Sequence, residues 1–96
     1  MPELEIEALL ESTKLWLDMK KYKEAIQDAN QVLKLCARTG FKLYEPEAEL
    51  ALAKLHLAQG NPEQAEPLAQ SAYEKAKNMH YRIIETEADN FLREIV

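Results

Sequence analysis

Apolar residues recur at three- and four-residue spacing along nearly the whole chain, the pattern of helices that bury one face. From Pro2 to about Met19 they fall at Leu4, Ala8, Leu9, Leu15, Trp16 and Met19. Pro2 suits a first turn, where its missing N–H is no loss. This helix is expected to break near Lys20-Lys21, although neither Gly nor Pro stands there. A second stripe, Ala25, Ile26, Ala29, Val32, Leu33 and Cys36, predicts a helix from about Tyr22 to Arg38. Gly40 closes it with a left-handed cap. Phe41 to Glu45 reads as a connection or a frayed first turn, and Pro46 opens a third helix running to about Gln59. Gly60-Asn61-Pro62 is the sharpest punctuation: Gly ends one helix, Asn caps the next and Pro opens it. The fourth helix runs from Pro62 to about Asn78. Pro67, one turn in, removes a backbone hydrogen bond and is expected to bend it. A fifth helix runs from about Tyr81 to Val96, with Ile83, Ile84, Ala88, Phe91, Leu92 and Ile95 apolar.

These helices repeat. Glu5-x-Glu7-Ala8 returns as Glu45-x-Glu47-Ala48 and as Glu85-x-Glu87-Ala88, a period of 40 residues. A fixed period of this size marks a stack of helical units, each burying its apolar face on its neighbours. Leu10/Leu50, Lys14/Lys54, Leu15/Leu55, Leu17/Leu57, Ala25/Ala65 and Ala29/Ala69 keep the same phase. The alanines, with Ala72, allow close helix approach. The expected fold is all-α: antiparallel helical hairpins stacked as a short α-solenoid of five helices. It is divided as repeat one over about 3–42, repeat two over about 43–82 and a terminal helix over about 83–96, in one domain spanning 1–96. Glu5, Glu45 and Glu85 each sit near a helix start, where a carboxylate favours the dipole; an acidic edge for a basic partner is the other reading.

The sequence resembles the tetratricopeptide repeat. In the second unit Ala48, Leu52-Ala53, Gly60, Ala65 and Ala72 keep that family's spacing of small and large positions. In the first unit Ala8, Thr13, Trp16, Tyr22, Ala25 and Val32 do so. The usual repeat is shorter, and the Pro that closes it is replaced by Ala37 and Lys77. The 40-residue period and the Gln64-Ala65-Glu66-Pro67-Leu68 segment are similar to the long repeats of kinesin light chains and of large bacterial signalling regulators. The resemblance implies a right-handed superhelix, with Trp16 packed between two helices of a hairpin. It also implies a concave groove that takes a peptide or helix of a partner protein, without catalysis. The groove positions so implied are Glu7, Leu10, Lys14 and Leu17, then Glu47, Leu50, Lys54 and Leu57, then Glu87, Asn90 and Glu94. The family's clamp for C-terminal carboxylates is not expected, since Leu10, Ala51, Glu87 and Phe91 occupy its other places.

The Leu–Lys–Leu triplets Leu10-Lys14-Leu17 and Leu50-Lys54-Leu57 each share one helix face. They read either as a stripe that holds a partner, Leu for affinity and Lys for acidic groups, or as core leucines beside solvated charges. With Asn90 they are the partner-binding candidates. A second class of function is self-association through apolar faces of the end helices, Leu4 to Met19 or Tyr81 to Val96, giving a homodimer.

Composition narrows the rest. Only two Gly and four Pro occur in 96 residues, which favours helix throughout. The net charge of −5 argues against nucleic acid as a partner, since phosphates need a basic face. Lys20, Lys21 and Lys23 read as a solvated helix junction. No apolar run reaches membrane-spanning length. Cys36 is the single cysteine, so no intrachain disulfide can form, which points to a reducing, cytoplasmic setting. It sits in an apolar stripe, without a nearby His, and reads as inert. His56 and His80 lack same-face ligand partners, and no Gly-rich phosphate loop is present, so neither metal, cofactor nor catalysis is expected. Two and a half repeats are few for this architecture, and Ile95-Val96 offers no polar cap. A piece of a larger protein is the expectation.

Overall fold

The computed structural model describes residues 2–95. It contains five α-helices: α1 (Pro2–Asp18), α2 (Tyr22–Thr39), α3 (Glu45–Ala58), α4 (Pro62–Asn78) and α5 (Arg82–Ile95), with a 3₁₀ turn at Lys42–Tyr44 leading into α3. Each boundary lies within a residue of its sequence expectation. Val96, expected in the last helix, lies outside the described residues.

The turns keep a strict beat. Lys20, Gly40, Gly60 and His80, spaced by 20 residues, all adopt left-handed backbone, with φ of 61, 79, 81 and 60°. After Lys20, Gly60 and His80 the chain closes in one way. The N–H groups of Lys21, Asn61 and Tyr81 donate to the carbonyls of Trp16, His56 and Ala76, each at 2.8 Å. These bonds satisfy carbonyls that the helix ends leave orphaned. Lys20 therefore does the work of a glycine, which explains a break that no Gly or Pro announced. Asn61 stands at the start of α4 but makes no side-chain cap hydrogen bond, contrary to expectation. Pro67 does not interrupt α4, which runs through it. Its missing N–H leaves only the Glu63 carbonyl without a helical donor, and both residues face solvent. Glu5, Glu45 and Glu85 lie in the first turns of α1, α3 and α5, where they complement the helix dipole.

Consecutive helices pack as neighbours, while α1, α3 and α5 also line up with one another. The result is a flat stack with extents of 38 × 31 × 18 Å. α2 lies between α1 and α3, and α4 lies between α3 and α5. Small residues make this sandwiching feasible: Ala25 and Ala29 on α2, and Ala65, Ala69, Ala72 and Ala76 on α4, are fully buried. The α2 alanines pack on Leu52 and Leu55 of α3. The α4 alanines pack on Leu50 and Ala53 of α3 and on Ile84, Ala88 and Phe91 of α5. Each fully buried leucine, Leu55 among them, contributes about 2 kcal/mol of apolar transfer.

One expected stripe is corrected. On α1 the buried residues are Ile6, Leu10 and Thr13, whereas Leu4, Leu15 and Met19 are 62, 56 and 51% exposed, and Ala8 is exposed too. α1 carries two apolar faces, and only one has a neighbour. Thr13 tolerates burial because its hydroxyl donates to the Leu9 carbonyl at 2.7 Å. Trp16 packs between α1 and α2, half-buried, with its indole N–H donating to Asp28 at 3.0 Å. The Lys21 ammonium lies over the ring, 5.6 Å from its centre.

Candidate functional site

Because α1, α3 and α5 stand side by side, their matching positions form one continuous surface. A depression of about 270 Å³ runs across it. α1 contributes Leu10, Thr13, Lys14 and Leu17; α3 contributes Glu47, Leu50, Ala51 and Lys54; the start of α5 contributes Ile83, Ile84 and Glu87, with Tyr81 just before it. Leu10 and Leu50 are nearly fully buried and form its floor. Leu17 and Lys54 are half-buried walls, and Ile83, 70% exposed, stands at its edge. Both readings of the Leu–Lys–Leu stripe thus describe part of the arrangement: the first leucine of each triplet belongs to the core and still lines the surface.

Seven of the groove positions read from the sequence meet here: the partner-binding candidates Leu10, Lys14, Leu17, Leu50 and Lys54, together with Glu47 and Glu87; Glu7 and Glu94 do not line it. Leu57 does not line the depression; it is half-buried against the α4–α5 cluster. Asn90 does not line it either, and is exposed on α5. Ile83 was read only as an apolar residue of the fifth helix and Ala51 only as a place where the family's clamp residue is missing, while Thr13 and Tyr81 carried no groove signal in the sequence. Ile83 and Leu43 stand 40 residues apart and are both exposed, an equivalence the period shows although the exposure does not follow from it.

The charges of the depression are unevenly satisfied. Lys14 spans from α1 to α3, with its ammonium 3.5 Å from the Glu47 carboxylate and 4.0 Å from Glu11. Among the described residues Lys54 and Glu87 make no ion pair. The site therefore offers an unpaired ammonium on α3 and an unpaired carboxylate on α5, with apolar floor nearby. Burial, followed by the charge of Glu47, pushes the Tyr81 hydroxyl above its ordinary value, so it stays protonated as a hydrogen-bond donor.

Other polar groups have structural duties. Glu49, nearly buried on α3, accepts from the Ser71 hydroxyl at 3.0 Å and pairs with Lys75 at 3.2 Å, and Glu45 lies 4.0 Å from the same lysine. These contacts bind α3 to α4. Cys36 is buried, and burial, then Glu45, raises its pKa, which disfavours the reactive thiolate. No group of three or more His, Cys, Asp or Glu among the described residues is placed to hold a metal ion. A wider and more open recess of about 690 Å³ at the α4–α5 turn is lined by Lys77, Asn78, His80, Arg82, Glu85 and Thr86, without an apolar anchor. No described helix is long and apolar enough to cross a membrane.

A sequence profile of the tetratricopeptide repeat matches residues 15–78. The chain belongs to the tetratricopeptide repeat family. Comparison with curated proteins and with solved structures finds no match. The fold of tetratricopeptide repeats is typically a non-catalytic one used for protein interaction. The stacked helical hairpins described above are that fold. The match covers α2, α3 and α4, with the groove positions Leu50, Lys54 and Leu57 of α3, and of the α1 groove stripe it takes in Leu17 alone.

Proposed function

We propose that this tetratricopeptide repeat domain is a non-catalytic recognition module that takes a peptide or short helix of a partner protein across α1, α3 and α5. The observation that carries the reading is the unpaired Lys54 ammonium beside the apolar floor of Leu10 and Leu50 and the Leu17 wall. A buried floor gives affinity without direction, whereas charges around it orient a ligand. The ligand is an apolar segment with an acidic residue that meets Lys54 and a basic residue that meets Glu87. Lys14 is already paired with Glu47, which leaves the Lys54 ammonium as the donor to the acidic group.

Selection from a displayed peptide library against this domain tests the reading. Enriched sequences are expected to carry an acidic residue flanked by large apolar ones, and to lose at least about tenfold in affinity against Lys54→Glu, since a close charge pair contributes at least about 1.4 kcal/mol. Binders that hold equally well to Lys54→Glu, with its helicity unchanged, contradict it.

A further inference from the structure

α1, α3 and α5 are three copies of one helix, and the cover on their shared positions differs. On α3, Ala48, Leu52 and Leu55 are buried beneath the preceding hairpin. The same positions on α1 are Ala8, Ser12 and Leu15, flanked by Leu4 and Met19; Ser12 is half-buried and the other four are exposed. The stripe Leu4–Ala8–Leu15–Met19 occupies a single face of α1, since successive members are four, seven and four residues apart.

The geometry points to a second copy of this chain as the occupant, pairing α1 with α1 antiparallel about a two-fold axis. The stripe is self-complementary in that arrangement. With the axis between Glu11 and Ser12, Leu4 meets Met19 of the second copy and Ala8 meets its Leu15, so a small residue faces a large one at each inner position. Charge selects the same orientation. The first part of α1 carries Glu3, Glu5, Glu7 and Glu11, while its far end leads into Lys20, Lys21 and Lys23. Antiparallel pairing sets the acidic part of each copy beside the basic end of the other; parallel pairing would stack like on like. Among the described residues α5 has no matching stripe and turns Arg82, Thr86, Asn90 and Arg93 outward. A two-fold pairing uses the same α1 face on both copies, so it closes at two. One helix pair buries less than the about 800 Å² per partner of a standard interface, so association is weak and concentration-dependent. This surface is separate from the groove, and its test does not depend on peptide binding.

Sedimentation equilibrium over a dilution series reaching about 1 mM, where a Kd of that order half-populates the dimer, provides the test. The mass is expected to rise from one copy toward two, and Leu15→Glu, at an exposed position, is expected to hold it at one copy with helicity unchanged. The register is read separately by oxidative cross-linking. Ser12→Cys is expected to link to itself, and Ala8→Cys to link with Leu15→Cys far better than with itself; the buried Cys36 does not compete. A single-copy mass throughout overturns the proposal. So does a dimer that survives Leu15→Glu, or a cross-linking pattern in which Ala8→Cys links to itself as readily as to Leu15→Cys.

Discussion

The two ends of the stack are built from the same helix and finished in opposite ways. At the C-terminal end α5 buries Ile84, Ala88 and Phe91 on α4, and its other face is polar. Thr86, Asn90 and Arg93 stand where α1 has Ile6, Leu10 and Thr13 and where α3 has Pro46, Leu50 and Ala53, all of them buried. α5 has no hairpin mate among the described residues, and its sequence has become hydrophilic on the side such a mate would cover. Asp89 and Arg93 pair there at 3.1 Å. At the N-terminal end α1 buries its hairpin side, yet its other side keeps Leu4, Ala8, Leu15 and Met19. The expectation of two apolar ends is thus corrected to one. The difference teaches that the 40-residue pattern specifies a helix with two buried faces, and that an end helix is made compatible with water only where the sequence departs from the pattern.

Exchanging residues between equivalent positions breaks this comparison most forcefully. Ala53→Arg installs in α3 what α5 carries at position 93, and an unpaired charge in the α3–α4 contact should cost more than about 4 kcal/mol and abolish cooperative folding. The reverse change, Arg93→Ala, should stay within about 0.5 kcal/mol. Circular dichroism with urea titration reads both. Equal effects would mean that α5 is covered on its polar side.

Next in size is the pair Leu55→Ala and Leu15→Ala. Leu55 is fully buried and its truncation should cost about 3 kcal/mol. Leu15 is 56% exposed, so at concentrations where the chain is monomeric its truncation should cost no more than about 0.5 kcal/mol.

The turns sharpen the comparison at smaller scale. Gly60 and His80 hold the same left-handed backbone, and a Cβ at Gly60 meets nothing within 4 Å. Gly60→Ala should therefore lose about 1 kcal/mol for backbone reasons alone, while His80→Gly should gain up to about 1 kcal/mol. Thermal melts that moved in the same direction for both would refute the common turn.

The smallest expected effect is alkaline. Tyr81 and Cys36 are both shifted upward, from ordinary values of 10.0 and 9.0, chiefly by burial. Above those values the unfolded chain ionises first, so stability is fully present below about pH 9 and falls as pH rises through the folded-state values. Tyr81→Phe should flatten the upper part of that decline in a pH series of urea midpoints.

Much of this fold was legible. Gly40, Gly60 and Pro62 name their turns, because few other residues serve there, and the alanines of α2 and α4 announce close helix packing. Three features were not. Lys20 gives no sign of left-handed backbone, since a lysine at a helix end looks like ordinary solvated charge. Thr13 hides its burial, because its hydroxyl is satisfied within its own helix. The covered side of α1 could not be chosen either, since periodicity marks both apolar faces and only the neighbours decide between them. For the groove, phase placed Leu10, Lys14, Leu17, Leu50 and Lys54 on matching faces. It could not separate floor from wall, nor reveal that Glu47 engages Lys14 and leaves Lys54 without a partner.

The most direct test of the groove is to titrate a selected acidic–apolar peptide into the isotopically labelled domain and map the amide shifts. The shifts are expected to gather on Leu17, Leu50, Lys54 and Ile83, spanning α1, α3 and α5, and with Lys54→Glu to need at least about tenfold more peptide. Shifts gathered instead on α2 and α4, or on Leu4, Ala8 and Leu15, would contradict the groove as the binding surface.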